Sequence, residues 1–462
     1  MAALVTPNVI RSLVPNFDCL TEVQHEFLLL HAEWLADGDR AFTLRALGPG
    51  VAGLNPELQQ RLIGLVEGLG AANRALALGG FGPGVAGLAP ELQQRLIGLV
   101  EGFDGNYRGW ALGGFAAGVA GLAPELQQRL IGLIEGLDAP KRSWALRHFT
   151  AGVAGLTPEL QQRLVVLIEG LYEPAYRASA LGGFGGSVAG LTPELQQRLV
   201  VLIEGLYEPA HRTMAVRGFG GGVAGLTLEL QQQFVVFVEG LYQPVDRASA
   251  LMSLGEGVGD LTPELQRRLV ILIEGLDHRN RSWALYNLGA GVAGLVPELQ
   301  QRLVVLIEGL YNPEDRFLAL AGLDSGVARV APELQQRLVI LIEGLDDPEH
   351  RVLALHGVGQ AIAGLALQLQ HRLILLAEGF EDTRERASAL QSLGTGLAEL
   401  APALQQRLIV LIEGLEDRLL ALEAIGAGMA RLAPALQQRL MVLAEEIDDP
   451  EDRARALSGM AG

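Results

Sequence analysis

A chain of 462 residues with 49% hydrophobic side chains can bury a large core, and its formal net charge of −18 opposes broad electrostatic binding to nucleic-acid phosphates. The single cysteine, Cys19, excludes an internal disulfide and a cysteine-built zinc site. Uncharged stretches such as residues 178–193 are rich in glycine and shorter than the ~20 apolar residues of a spanning helix, so no membrane span is expected.

Taken in chain order, residues 1–20 lack the basic cluster and long apolar core of a secretory leader. The expected location is therefore cytoplasmic, and residues 1–19 read as a lead segment. A degenerate helical unit follows over 20–53, with the place of a capping repeat. From Leu54 a phrase L-x-P-E-L-Q-Q-R-L-x-x-L-x-E-G-L recurs at Leu88, Leu122, Leu156, Leu191, Leu226, Leu261, Leu295, Val330, Leu365, Leu400 and Leu432. The step is 34 or 35 residues, shortened to 32 at the last copy. Residues 54–431 are thus tandem repeats, and 432–462 read as an incomplete final repeat, an end expected to fray or to self-associate.

Each unit predicts two helices. In the unit at Leu191, Thr192 and Pro193 suit the cap and first helical position. Glu194 favours the helix N-terminus and stands four residues before Arg198, a spacing that predicts an ion pair within the helix. Leu195, Leu199, Leu202, Ile203 and Leu206 share one face, and Gly205 with Tyr207-Glu208-Pro209 stops the helix. A second helix begins near an arginine. In the preceding unit this is Arg177, and Ala180, Leu181, Phe184, Val188 and Leu191 continue its apolar face. Gly182, Gly183, Gly185 and Gly186 weaken that helix, so it must gain order from close packing and bend near Gly185-Gly186. One hairpin buries too little to fold alone, whereas stacked hairpins share a core. The expected fold is all-α: an α-solenoid of about 12–13 antiparallel two-helix repeats in a right-handed superhelix.

Runs such as Leu345-Asp346-Asp347-Pro348-Glu349-His350-Arg351 before Ala354-Leu355, and Asp448-Asp449-Pro450-Glu451-Asp452-Arg453 before Ala456-Leu457, resemble the HEAT-like (armadillo/HEAT-type) family of α-helical repeats. Tyr172, Tyr207, Tyr242 and Tyr311 depart from it, standing where the family's turn aspartate belongs. The resemblance implies a non-enzymatic protein–protein interaction scaffold with protein partners. The near-identical, arginine-rich repeats are also similar in style to effectors of plant-associated bacteria, which implies action in a host cytosol. The chain has one lysine, Lys141, which fits either codon usage or avoidance of ubiquitination in a host. Leu191-Thr192-Pro193-Glu194 resembles the opening of TAL-type DNA-binding repeats, but the charge has the wrong sign and no variable pair sits in a short loop. A HEAT-like lyase is the enzymatic alternative.

No catalytic or metal constellation stands out. The eight histidines are scattered, which predicts isolated surface residues and no cofactor. The once-per-unit glutamates, Glu169 to Glu343, and the opening arginines, Arg177 to Arg351, predict a structural ladder that sets the stack. Binding residues are sought where units differ: Trp110, Trp144, Arg147, His148, Arg217, Trp283, Tyr286, Asn287 and His356.

Overall fold

The computed structural model describes residues 20–460, so the lead segment and Cys19 lie outside the described residues. Every pair consists of a first helix, a turn, a second helix and, in most pairs, a short 3₁₀ segment, with no strand among the described residues. First helices run Glu22–Trp34, Pro56–Glu67, Pro90–Glu101 and onward to Pro434–Glu445. Second helices run Asp37–Leu47, Ala71–Leu78, Gly105–Phe115 and onward to Pro450–Met460. The chain is an all-α solenoid of antiparallel helical pairs. By internal contacts it divides into two units, Met1–Phe234 and Val235–Gly462.

First helices form as the sequence predicts. Pro193 opens Pro193–Glu204, and the Thr192 hydroxyl accepts from the Leu195 N–H. Leu195, Leu199, Val200 and Ile203 are buried, together with Gln196. That glutamine is the first of each Gln-Gln pair. In one copy after another its amide donates to carbonyls of the preceding connection, as Gln59 does to Leu54 O and Gln127 to Leu122 O, both at 3.0 Å. Gln196 also donates to Gly225 O of the next pair at 3.2 Å, which ties neighbours together. The second glutamine, such as Gln197, stays exposed.

Second helices are shorter than the apolar pattern predicts. Pro174–Leu181 ends at Leu181, and Gly185–Gly190 continues as a 3₁₀ turn, in place of one helix bent at Gly185-Gly186. The glycines lower helix propensity, and the tighter turn keeps Phe184, Val188 and Leu191 buried. In the first unit the residue closing this region is a fully buried phenylalanine in five successive pairs: Phe81, Phe115, Phe149, Phe184 and Phe219. The second unit places Leu254, Leu288, Leu323, Val358, Leu393 and Ile425 there.

Glycine sets how closely pairs approach. A Cβ on Gly118 would fall on the Gly82 carbonyl oxygen, and one on Gly183 on the Arg147 carbonyl. The expected close backbone approach is present, and it is made between successive pairs. No helix among the described residues is long and apolar enough to cross a membrane.

Candidate binding surface

The two arginines of each pair have separate structural partners. The arginine opening the second helix turns back onto the end of the first helix: Arg142 Nη2 donates to Glu135 O at 2.7 Å and Leu137 O at 2.8 Å, and Arg351 Nε to Leu345 O at 3.0 Å. It thereby satisfies carbonyls that the helix leaves unpaired. The arginine of the Gln-Gln-Arg run reaches the preceding pair instead. Arg198 bonds Glu169 at 2.7 Å, not Glu194 of its own helix, which corrects the expected i,i+4 pair. The stacked neighbour offers a carboxylate that accepts two parallel N–H groups, a better geometry than the single-helix pair.

This bond recurs through both units as Glu33–Arg61, Glu67–Arg95, Glu101–Arg129 and Glu135–Arg163, and as Glu239–Arg268, Glu274–Arg302, Glu308–Arg337 and Glu343–Arg372. Hydrogen bonding to Arg163 lowers the Glu135 pKa. The glutamates thus form the expected ladder, but with the arginines of the Gln-Gln-Arg run; the opening arginines Arg177 to Arg351, expected to share it, instead close the helix ends of their own pairs. Among the described residues the exception is Glu204, where Gln233 replaces the arginine and its uncharged amide donates one hydrogen bond to the carboxylate.

The varying positions singled out in the sequence all lie on second helices. In the first unit Trp110 is 53% exposed and Trp144 37%. Their rings lie 6.5 Å apart, Tyr107 meets Trp110 edge-on at 6.2 Å, and Trp144 lies against His148 at 4.3 Å. Gly113 leaves room for His148, since a Cβ there would meet the His148 Cβ at 2.9 Å, whereas a Cβ on Gly109 would make ordinary contact with Trp144 at 3.7 Å. The result is an open groove of about 370 Å³, lined by Tyr107, Trp110, Trp144, Asp104, Asn106 and Lys141. Lys141 Nζ is bonded to Asp138 at 2.6 Å. Burial, then the Arg147 charge, lowers the His148 pKa below the ordinary histidine value. Arg147 and Arg217 are exposed on their second helices.

In the second unit Trp283 lines a separate groove with Arg279, Asp315, Phe317, Leu318 and His350, and Phe317 stacks on His350 at 4.1 Å. Tyr286 and His356 are exposed, and His356 Nδ1 lies 3.2 Å from Ser392 Oγ. Asn287 is half-buried on the helix that carries Tyr286 and does not line the groove. The structure thus brings Trp110, Trp144 and His148 together and sets Trp283 in a groove without Tyr286, Asn287 or His356. His25 also departs from the surface expectation, since it is buried.

Sequence reasoning noted the turn tyrosines only as departures from a repeat pattern. In the structure Tyr172 and Tyr207 are each 90% exposed, and Tyr242 and Tyr311 nearly as much. Their signal was present: tyrosine recurs in a turn between a buried leucine and a helix-opening proline, where the core has no use for a ring. Exposed apolar residues also recur on the first helices, at Val166 and Val201 and at Ile271 and Val305. Among the described residues no group of three His, Cys, Asp or Glu is placed to hold a metal ion.

No protein-family model matches the chain, and no curated protein matches it. Several solved structures are similar to it. Kap121p bound to Nup53p is 13% identical with a TM-score of 0.41, covering 95% of this chain and 53% of its own. Kap121p bound to the SUMO protease Ulp1p is 13% identical at 0.39, covering 92% and 53%. A homology model of the full-length AP-3 complex is 13% identical at 0.35, covering 98% and 89%. The chain therefore spans about half the length of the Kap121p chains it matches. By its own geometry, with paired helices, buried alanine-leucine faces and an arginine clamped on each preceding helix end, the chain is an all-α tandem array of helical pairs.

Proposed function

We propose that this protein is a non-enzymatic interaction scaffold that holds protein partners on the exposed face of its second helices. The observation that carries this reading is the aromatic path Tyr107–Trp110–Trp144–His148, which is partly exposed and built over glycines. Large rings with one open face, beside arginine, are the side chains that dominate binding energy at protein interfaces. The tyrosines at Tyr172 and Tyr207 extend the supply of exposed rings to the turns of the same unit.

The test is site-specific photo-crosslinking in the cell that makes the protein. A photo-reactive residue is placed at Trp110 or Met214 on second helices, or at Gln94 or Gln197 on first helices. The second-helix sites should capture a defined protein, and Trp144→Ala should reduce that capture. Capture only from the first-helix sites, or none from any site, would remove the reading.

A further inference from the structure

Charge is distributed unevenly over the second helices. The chain carries 53 acidic residues. None falls in five consecutive second helices of the first unit: Ala71–Leu78, Gly105–Phe115, Ala139–Phe149, Pro174–Leu181 and Pro209–Phe219. The 3₁₀ segments Ala116–Gly121, Thr150–Gly155, Gly185–Gly190 and Gly220–Gly225 lack acids as well. In the second unit six of the seven second helices carry acids, among them Asp246, Asp315, Glu349, Glu385 and Glu423. Helix propensity does not account for this, since glutamate is a good helix former and the same repeat tolerates it in the other unit.

The arginines on these five helices serve two ends. Arg74, Arg108, Arg142, Arg177 and Arg212 are committed to helix-end carbonyls. The side chains of Arg147 and Arg217, five residues beyond the clamp and on the row after the Trp144 and Met214 row, are exposed to solvent. The acids nearest this face are the residues preceding the helices, and most are already engaged. Asp104 accepts from the Asn106 and Tyr107 N–H groups, Asp138 holds Lys141, and Glu208 holds His211 at 2.8 Å. Glu173 is exposed at the same edge.

We infer that the second-helix face of the first unit docks an acidic, extended peptide segment of a partner protein, with an apolar side chain in the Tyr107–Trp110–Trp144 groove and carboxylates on Arg147 and Arg217. This rests on the scaffold reading above and adds the chemistry of the partner. Arg147 and Arg217 are two repeats apart, roughly 20 Å at ~10 Å per helix pair. An extended chain covers that distance in about six residues. Guanidinium groups pair carboxylates bidentately, and a face without acids of its own avoids the like-charge penalty that the rest of this chain would impose. The groove supplies an apolar anchor, which a purely electrostatic polyanion site does not need.

The experiment uses the full chain and three fluorescein-labelled probes of equal length. One is a peptide of glutamate and serine with a central phenylalanine, one is its lysine counterpart, and one is oligouridylate. Anisotropy and tryptophan quenching are read together. The acidic peptide should bind at least about tenfold more tightly than the lysine peptide and should quench tryptophan fluorescence. Arg147→Glu with Arg217→Glu should abolish that preference, and Trp144→Ala or Trp144→Leu should remove the quenching. Equal or tighter binding of the lysine peptide, lost on Trp144→Ala, would overturn the acidic partner while leaving the scaffold reading in place. Tighter binding of oligouridylate would identify a nucleic-acid surface and overturn the inference. Absence of binding by any probe would overturn it as well, and the crosslinking result then decides separately whether the scaffold reading falls with it.

Discussion

Gly64 and Gly118 differ in what surrounds them. Gly64 lies inside Pro56–Glu67, and a Cβ there would meet nothing within 4 Å. Gly118 stands where a Cβ would collide with the Gly82 carbonyl of the neighbouring pair. Gly64→Ala should therefore stabilise the protein by about 0.5–1 kcal/mol through helix propensity. Gly118→Ala should destabilise it by roughly 1–3 kcal/mol, since the backbones must separate. Urea titrations of the two variants check both signs, and a loss of stability in Gly64→Ala would contradict the open surroundings described for it. Gln127 belongs to the same scale: buried, it donates to Leu122 O, so Gln127→Leu leaves that carbonyl without its side-chain donor, at about 1–3 kcal/mol.

At the scale of elements, the glutamate–arginine ladder joins first helix to first helix, and its break at Gln233 is a natural experiment. Gln233→Arg should restore the bidentate pair with Glu204 and raise stability by up to roughly 1 kcal/mol, the range of exposed pairs screened by solvent. A gain that vanishes in the Glu204→Gln background would assign it to the pair. The ladder also sets a pH dependence. Glu33 and Glu135 have pKa values lowered from the ordinary 4.5, first by hydrogen bonds to Arg61 and Arg163. A carboxylate whose folded pKa is lowered contributes stability that is complete above its unfolded value and lost as pH falls through the folded one. The melting temperature should therefore hold down to about pH 5 and fall below pH 4.5. Glu135→Gln should make that acid limb shallower.

At the scale of the whole molecule, stability is the sum of pairs and of the interfaces between successive pairs. A lesion at one interface should stay local. In Gly118→Ala, hydrogen exchange should quicken in residues 82–155 and remain unchanged beyond about residue 300. Uniform acceleration along the chain would show instead that the array unfolds as one block. The contrast between units bears on function at this scale. The first unit has a phenylalanine spine, glycine-rich connections and five successive second helices free of acids, whereas the second has aliphatic residues at the spine positions and acids on six of its seven second helices.

The period, the two helices of each unit, the proline openings and the buried apolar face were all legible in the residues, because each depends on spacing along one chain. The tryptophans and His148 were also legible as candidates, since they vary where the repeat otherwise holds. Which carboxylate Arg198 would choose was not legible: Glu194 and Glu169 differ only in where stacking places them. Nor was the conversion of Gly185–Gly190 to a 3₁₀ turn, which follows from the fit of neighbouring backbones. The exposure of Tyr172 and Tyr207, and the gathering of acid-free helices on one face of a unit, emerge only when separate pairs are brought side by side. Local propensity and periodicity act within a few turns of helix, whereas ion-pair choice, close approach and surface charge are properties of neighbours some thirty residues apart.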